Sequence, residues 1–353
     1  MALTNEERLR YSRQIVLQAI GADGQLRLKK ARVCVIGIGG LGCFSAIQLA
    51  AMGVGFIRLI DQDVVDVTNL HRQILYDTQS IGYPKVEVAE QRLRMLNSNI
   101  EIDPLPLTIN DKTAEQVVRD VDVVIDGLDR FAPRRAVNRA CVKHEIPYIY
   151  GGALETYGNV STILPRQTVC FECFTGSLSD EGMPTCETTG VLTPILATIA
   201  SIQVSEALHL LLEREPCLGN KVLFIDINTL NFSTIDVVRR DDCPICGTDT
   251  IEVGTTPIAS KVVELCGKDS FMASSNQPLD LKIDEVFSIL TTHYPVKQRS
   301  NLGIAIEYSP GVTINLMKTG NALIRGTSDQ HAARKIYEEL LTMIIDKSPP
   351  SLT

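Results

Sequence analysis

The 353-residue sequence has no tryptophan, few aromatic residues and no excess of positive charge. Aromatic residues make up 5% of the chain and hydrophobic residues 44%, so the core must be packed mainly from aliphatic side chains. The formal net charge of -8 argues against general nucleic-acid binding, because affinity for a phosphate backbone needs a cationic surface. A local cationic pocket is compatible with this charge balance.

The sequence also has no pattern typical of a secretory signal or a membrane span. Its N-terminus is charged and polar, unlike a signal peptide. The longest apolar stretch, residues 191–212, is interrupted by Gln203 and Glu206, which predicts a buried helix rather than a membrane span. Ten cysteines in a long chain of this kind favour thiols and metal ligands over disulfides, and we predict a cytoplasmic protein with no membrane partner.

Short apolar segments alternate with amphipathic segments in the first part of the chain. Apolar runs such as RVCVI at 32–36 and FIRLI at 56–60 predict buried strands, and the segments between them predict helices. This alternation is typical of an α/β fold with a parallel, doubly wound, Rossmann-like sheet. Beyond Gly151 the pattern changes, and residues 157–164 and 221–237 predict antiparallel strands.

The composition changes after Cys246, where the segment GTDTIEVGTTP is typical of a linker. We therefore predict a large α/β domain over residues 1–250 and a small α+β domain over residues 255–353. The small domain carries no chemical motif. Its pattern predicts three strands between two helices, with helices near 282–292 and 329–345.

A glycine-rich loop follows the first predicted strand and precedes a helix. Its sequence, Gly37-Ile-Gly39-Gly40-Leu-Gly42, lets the backbone approach a phosphate, and the helix N-terminus presents unpaired N–H groups to the anion. Asp61 stands at the end of the next strand, where an acid accepts ribose hydroxyls. A plain tight turn is a weak alternative in this context of strand, loop, helix, strand and acid. The sequence therefore predicts a nucleotide site.

Three charged residues further along favour ATP, although a glycine loop alone favours a dinucleotide. Arg72 follows shortly after Asp61, and Lys85 opens the next helix. Two fixed cations in one crevice suit a triphosphate, while surface exposure remains the alternative for both. Asp129, past the end of a later strand, is placed to hold Mg²⁺ or to face the reacting phosphate.

The large domain resembles the ThiF/MoeB/ubiquitin-activating-enzyme superfamily. Five segments carry the resemblance in order along residues 8–246, and together they are more specific than the glycine loop alone. They are RYSRQI, GIGGLG, LIDQDVVDVTNLHRQ, IGYPK and DGLDR. The resemblance implies ATP-dependent adenylation of the C-terminal glycine carboxylate of a small ubiquitin-like or sulfur-carrier protein ending in Gly-Gly. It also implies a homodimer.

The resemblance assigns roles to individual residues. In the superfamily, the Mg-ATP site is formed by a glycine loop, acids after the next strand, an Asn–Arg pair, a lysine at the start of a helix and an aspartate later in the chain. An N-terminal arginine reaches the ATP of the other subunit. The corresponding residues here are Gly37, Gly39, Gly40, Gly42, Asp61, Asp63, Asn69, Arg72, Gln73, Lys85, Asp129 and Arg13. Of these, Arg13, Arg72 and Asp129 are predicted to act in catalysis. Arg130 departs from the pattern, since the superfamily usually has Asn after the aspartate.

Two C-x-x-C pairs, Cys170-Phe-Glu-Cys173 and Cys243-Pro-Ile-Cys246, offer four thiolates to a tetrahedral Zn²⁺. A redox role is the alternative, but the second pair contains Pro and the context is not thioredoxin-like. We predict a structural zinc site, and the superfamily has a four-cysteine site at these places.

Cys186 is unpaired, follows a Gly- and Ser-rich stretch and precedes the long apolar helix, whose N-terminus would activate a thiol. By resemblance it would form a thioester, an acyl-disulfide or a persulfide with the carrier, and a spare thiol is the alternative. The other cysteines are predicted to be small core residues. They are Cys34, Cys43, Cys141, Cys217 and Cys266.

Other hypotheses stay open at this point. An NAD-dependent oxidoreductase would share the fold but has no use for Arg72 together with Lys85. A non-enzymatic scaffold that binds a ubiquitin-like protein would not need the retained Arg, Lys and Asp set. The small domain resembles the C-terminal extension of some bacterial and archaeal ThiF-like proteins. It is interpreted either as a docking module for the carrier or a downstream acceptor, or as a unit that stabilises the dimer.

Overall fold

The computed structural model describes residues 2–176, 178–182, 185, 188–247, 261–264, 269–275 and 277–347. Cys186 and Cys266, for which roles are predicted above, lie outside the described residues. The helices are α1 (Asn5–Arg10), α2 (Ser12–Ile15), α3 (Gly21–Lys30), α4 (Gly40–Met52), α5 (Lys85–Leu96), α6 (Asp111–Val117), α7 (Phe131–His144), α8 (Phe171–Thr175), α9 (Thr193–Leu211), α10 (Ile283–Leu290) and α11 (Gln330–Lys347). The strands are β1 (Arg32–Ile36), β2 (Phe56–Ile60), β3 (Glu101–Leu105), β4 (Val123–Asp126), β5 (Tyr148–Leu154), β6 (Tyr157–Ile163), β7 (Lys221–Asp226), β8 (Asn231–Asp236), β9 (Lys261–Glu264), β10 (Ser270–Ser274), β11 (Val296–Arg299), β12 (Gly303–Ser309), β13 (Val312–Met317) and β14 (Ala322–Arg325).

Eight strands form one sheet in the order β3-β2-β1-β4-β5-β6-β7-β8. Strands β1 to β5 pair in parallel, and β5 to β8 pair in an antiparallel manner. The strand order reverses between β1 and β4, which is where open α/β sheets leave a crevice at the carboxyl ends of the strands. The predicted doubly wound sheet with antiparallel strands after it is confirmed.

The two faces of this sheet have separate aliphatic cores. In β1, Val33 and Val35 belong to one core with α4, α5 and α9, and Cys34 and Ile36 belong to the other with α6 and α7. All four side chains are at most 1% exposed. Burial on both faces explains why β1 reads as a continuous apolar run instead of an alternating one.

Helix α9 corresponds to the long apolar stretch of the sequence. Among the described residues it is the one helix that is long and apolar enough to cross a membrane by length and composition. It packs against α4 and against β4, β5 and β6, with Ile195, Ile199 and Ala200 fully buried. These contacts are those of a core helix.

Three of the cysteines predicted to be core residues, Cys34, Cys43 and Cys141, are fully buried. The prediction for Cys217 is wrong, because this side chain is exposed. Cys217 lies in the turn between α9 and β7, where its backbone N–H donates to the carboxylate of Glu206 at 2.9 Å. The backbone of this residue is anchored, and its thiol faces outward.

A second sheet is fully antiparallel, in the order β11-β12-β13-β14-β10-β9. Helices α10 and α11 cover it, and Leu290, Ile314 and Leu340 lie in its core without exposure. We call this unit, residues 261–264, 269–275 and 277–347, the small domain. It contacts the loop that follows β2 and the end of β3 through hydrogen bonds and an apolar cluster.

The two edges of the large sheet differ. Edge strand β3 contains Pro104, which has no backbone N–H to donate. Directly after β3, the carbonyl of Pro106 accepts hydrogen bonds from Thr319 and Asn321 of the small domain. Edge strand β8 has six residues, all exposed. One edge is thus partly covered, and the other faces solvent.

Candidate nucleotide-binding site

The glycine loop between β1 and α4 is built on close backbone contacts. Gly37 has φ of +87°, in the left-handed region that favours glycine. A Cβ atom on Gly42 would lie 1.9 Å from the carbonyl oxygen of Gly37, and one on Gly127 would lie 2.2 Å from the same oxygen. A Cβ on Gly39 would have only Gln73 Nε2, 3.8 Å away, within 4 Å. The loop is therefore closed on its inner side and open beside Gly39, where the helix N-terminus can accept an anion.

Asp61, directly after β2, binds the glycine loop through a hydrogen bond. One carboxylate oxygen accepts the N–H of Ile38 at 2.7 Å, and the other accepts the N–H of Asp63 at 2.8 Å. Burial raises the pKa of Asp61 to about 6, although the nearby charge of Lys85 works in the opposite direction. Each oxygen has two lone pairs, so the carboxylate can accept a ligand hydroxyl as well.

Lys85, the first residue of α5, is buried, with 5% of its surface exposed. Its ammonium group lies 2.9 Å from the carboxylate of Asp63. Burial lowers the pKa of Lys85, but the charges of Asp63 and Asp61 outweigh it and keep the pKa above its usual value. The alternative that Lys85 is an ordinary surface charge is wrong, and the sequence-predicted residues Asp61, Asp63 and Lys85 form one cluster.

Asn69, Arg72 and Gln73 lie at and just after a short 3-10 helix, Val67–Asn69. The side-chain oxygen of Asn69 accepts the N–H of Asp66 at 3.1 Å, and Arg72 donates to the carbonyl of Thr68 at 2.8 Å. Gln73 is 3% exposed, and its Oε1 has no hydrogen-bond partner among the described residues. A buried amide oxygen of this kind needs a partner, which a bound ligand beside Gly39 can supply.

Two contacts hold this segment against the rest of the site. The hydroxyl of Tyr76 donates to the carbonyl of Ile38 in the glycine loop at 2.8 Å. At the start of α9, the hydroxyl of Thr193 donates to the carbonyl of His71 at 2.9 Å. The glycine loop, the segment after β2 and the N-terminus of α9 therefore converge on one crevice.

Asp129 is exposed in the loop after β4. It lies two residues after Gly127, which packs against Gly37 of the glycine loop. Arg134 of α7 fixes this loop by donating to the carbonyl of Leu128. It also pairs with the fully buried Asp126 at 2.9 Å. Burial raises the pKa of Asp126, while the charge of Arg134 opposes that effect. Sequence reasoning missed Arg134; the available signal was Asp126 in an apolar strand, since a buried carboxylate needs a cationic partner.

Arg13 is exposed on α2, at the far end of α4 from the glycine loop. Its neighbour Gln14 donates to the carbonyl of Met52, the last residue of α4, at 3.0 Å. A helix of this length spans about 20 Å at about 1.5 Å per residue, which exceeds the reach of an arginine side chain. The structure does not bring Arg13 to the nucleotide crevice of its own chain.

The two C-x-x-C pairs come together next to α8. The Sγ atoms are 3.9 Å apart for Cys170 and Cys173 and 3.6 Å apart for Cys170 and Cys243. Those of Cys173 and Cys246 are 3.4 Å apart, and all four lie within 4.8 Å of one another. A tetrahedral Zn²⁺ with Zn–S bonds of about 2.3 Å places its sulfurs about 3.8 Å apart. The cluster therefore fits a zinc ion.

The sheet and the crevice at the carboxyl ends of its parallel strands are those of a nucleotide-binding α/β enzyme. The ThiF family matches residues 11–245, and the chain belongs to this family. It is similar to the sulfur carrier protein ThiS adenylyltransferase of Bacillus subtilis, 33% identical over 94% of this chain and 98% of that protein. It is also similar to the SAMP-activating enzyme E1 of Haloferax volcanii, 36% identical over 69% of this chain and 91% of that protein. The chain is an enzyme of the adenylyltransferase class.

Solved structures agree with this assignment. The structure of Escherichia coli MccB with ATP is similar with a TM-score of 0.60 and 29% identity, over 67% of this chain and 74% of that chain. The structure of MccB with MccA-N7isoASN has a TM-score of 0.61 and 28% identity, over 69% of this chain and 76% of that chain. These likenesses favour adenylation over the oxidoreductase and scaffold hypotheses.

The glycine contacts predict opposite effects at two positions. Alanine at Gly42 meets the carbonyl of Gly37, so Gly42→Ala should lower the free energy of unfolding by about 2–4 kcal/mol. Alanine at Gly39 has room, so Gly39→Ala should stay within about 1 kcal/mol of wild type. Urea unfolding measures both values. Equal stability of the two variants would contradict the contact geometry.

The raised pKa of Asp61 predicts a pH-dependent stability. The folded protein binds this proton more tightly than the unfolded chain, so the free energy of unfolding should fall as pH rises from about 4 to about 6. The wild-type value minus that of Asp61→Asn should decline by on the order of 2 kcal/mol across this window. Urea unfolding at several pH values tests it. A difference that grows with pH would have the wrong sign.

Proposed function

We propose that this chain uses Mg-ATP to adenylate the C-terminal glycine carboxylate of a small sulfur-carrier or ubiquitin-like protein ending in Gly-Gly. The observation that carries the proposal is the buried ammonium of Lys85 beside Asp63 and Asp61, the second of which binds the glycine loop through the N–H of Ile38. A fixed, buried cation suits a polyphosphate. The sulfur-carrier and ubiquitin-like relatives supply the substrate class.

The proposed reaction places few chemical demands on the protein. The carrier carboxylate is ionised at neutral pH and needs no base. One of its oxygens attacks the α-phosphorus of ATP, the bond to the bridging oxygen breaks, and pyrophosphate leaves with that electron pair. Catalysis then comes from positioning and from stabilising the developing charge, which we assign to Arg72 and Lys85.

Asp129 is the proposed ligand of Mg²⁺. Its exposed carboxylate, in a loop packed against the glycine loop, is the oxygen donor type that Mg²⁺ takes together with substrate phosphates. When bound, the ion would neutralise phosphate charge. Arg130 follows it at the N-cap of α7, in extended backbone.

Arg13 supports a homodimer in this proposal. Arg13 lies on α2, beside the end of α4 that is far from the glycine loop, so its side chain does not reach the crevice of its own chain. A catalytic role for Arg13 therefore requires a second copy of the chain. The neighbouring Val16 and Leu17 are 76% and 52% exposed. Exposed apolar residues beside Arg13 suit burial against a partner protomer.

Strands β7 and β8 are the proposed docking surface for the carrier. Phe224 and Ile235 lie on the same face of these two strands and are 40% and 53% exposed. Clustered exposed apolar side chains on a sheet are typical of a protein contact site. The surface continues from the same sheet whose parallel half holds the nucleotide crevice.

Transfer to Cys186 is the second step of the proposal. The segment that contains Cys186 ends at α9, whose first residue, Thr193, bonds the loop that carries Arg72. A thiolate in this segment, its proton lost to solvent, would attack the carbonyl carbon of the acyl adenylate; the bond from that carbon to the phosphate oxygen would break, and AMP would leave with the electron pair. The product would be a thioester.

The four-cysteine cluster is the proposed site of a structural Zn²⁺. It joins α8 to the segment after β8 and so would tie the antiparallel half of the sheet to α7. The described cysteines are free thiols, which suits the cytoplasmic location that we propose.

Pyrophosphate exchange with candidate carriers tests the central proposal. Wild type should incorporate labelled pyrophosphate into ATP only when a carrier ending in Gly-Gly is present. Asp129→Ala should reduce the exchange about 10²- to 10³-fold, since it removes a ligand of the charge-neutralising ion. Asp23→Ala, an exposed carboxylate on α3, is the matched control and should retain exchange.

In the same assay, Cys186→Ala should keep exchange and lose any thiol-sensitive adduct with the carrier. Loss of the adduct together with exchange would place Cys186 in adenylation instead of transfer. Absence of exchange with every carrier tested would contradict the proposed function.

Metal analysis tests the cysteine cluster. Wild type should contain about one zinc per chain, and Cys173→Ser should lose it with a fall in Tm of about 10 °C. Cys217→Ser is the control, because this exposed cysteine lies outside the cluster. Equal zinc content in both variants would argue against the cluster as the zinc site.

A further inference from the structure

The small domain packs on the part of the large domain that carries the nucleotide-binding side chains. Val64, shortly after β2, forms a buried cluster with Met272, Met317 and Leu323 of the small domain. Leu302 of the small domain packs against the core beneath α4 and α5. The interface is therefore apolar at its centre, and it lies directly behind the segment between β2 and α5.

Glu87 links the small domain to the start of α5. Its side chain is 4% exposed, and its two carboxylate oxygens accept the backbone N–H groups of Asn301 and Leu302 at 3.0 and 3.2 Å. Glu87 is two residues after Lys85, in the same helical turn. The position of the buried ammonium is thus tied to a turn of the small domain.

Arg325 links the small domain to the other end of the segment. Its guanidinium lies 3.2 Å from the carboxylate of Asp66. That carboxylate also accepts the N–H of Thr68 at 3.0 Å, and the backbone N–H of Asp66 donates to the side chain of Asn69. Arg72 in turn donates to the carbonyl of Thr68. One ion pair therefore connects to Asn69 through one hydrogen bond and to Arg72 through two, by way of Thr68.

The segment between these two links has little regular structure of its own. Its regular elements are two short 3-10 helices, Val67–Asn69 and Thr78–Ser80. Near its C-terminal end, before α5, the carbonyl of Gly82 accepts a hydrogen bond from the side chain of Asn315 at 3.1 Å. Ordering such a segment costs conformational entropy, and contacts that order it before the ligand arrives improve affinity.

We infer that the small domain is a brace for the ATP site, in which Arg325 and the Glu87-bound turn at 300–302 position the segment 66–87 for nucleotide binding. Arg325 and Glu87 are positioning residues, since they act through Asp66, Asn69 and Lys85. The inference rests on the proposed function only for the identity of the nucleotide. It assigns the small domain a role in ATP affinity, in place of carrier docking or dimer stability.

The test uses the full-length chain and point variants, because deletion of the small domain would expose Val64 and the core surface against which Leu302 packs, and would confound folding with affinity. The dissociation constant of a non-hydrolysable ATP analogue is measured by calorimetry, with thermal unfolding alongside. Arg325→Met should raise this constant about three- to fivefold, and Arg325→Lys should restore part of the loss. Glu87→Gln, which weakens the other link, should raise it as well.

Arg334→Met is the matched control. Arg334 is an exposed arginine on α11 of the same domain, outside the turn at 300–302 and strand β14, and nucleotide affinity should equal that of wild type. In pyrophosphate exchange, Arg325→Met should raise KM for ATP by the same factor, with kcat and KM for the carrier unchanged. A purely structural role would lower Tm without this split.

Each other outcome overturns a separate statement. Unchanged analogue affinity in both Arg325→Met and Glu87→Gln would overturn the brace. A raised KM for the carrier with unchanged KM for ATP would replace it with the docking hypothesis. If wild type binds the ATP analogue but shows no pyrophosphate exchange with any carrier, the proposed function is contradicted. The analogue affinities of the variants still test the role of the small domain in that case. Wild type that binds no ATP analogue would overturn both.

Discussion

The organisation of the site depends on the carboxylate of Asp61. This group is buried, and it joins the glycine loop to the segment after β2 by accepting one N–H from each. Together with Asp63 it keeps the ammonium of Lys85 charged inside the protein. Burial of this carboxylate raises the pKa of Asp61, and the negative charge of Asp63 adds to that effect, while the charge of Lys85 opposes it. Backbone geometry and charge are therefore set by the same residue.

Much of the fold and several parts of the site could be predicted from the sequence, where local signals and tertiary structure agree. A helix follows the glycine loop as predicted, and it occupies Gly40–Met52, where its end meets Gly53 in the left-handed region. The cysteine pairs were recognisable because their chemistry is carried by spacing alone. The cluster of Asp61 and Lys85 was recognisable because both residues stand at strand or helix ends.

The parts of the fold and the site that the sequence did not predict depend on tertiary contacts or on weak local signals. Helix α6 is short and polar, so hydrophobic periodicity gave no signal, and only its Asn110 cap marks it. Arg134 was missed because its importance comes from a partner, Asp126, whose burial is a tertiary property. The outward direction of Cys217 depends on the turn that Glu206 anchors. The brace formed by Arg325 joins residues that are far apart in the chain, and no local pattern reports such a contact.

The unequal edges of the large sheet also limit how the protein assembles. A sheet with two free edges can add a strand at both ends, and repetition of that contact would build a filament. Here Pro104 and the small domain obstruct the β3 edge, while β8 presents a complete row of exposed residues. Strand addition is therefore directional. The large sheet can be extended at one edge, and molecules joined only through the edges of this sheet cannot propagate into a filament.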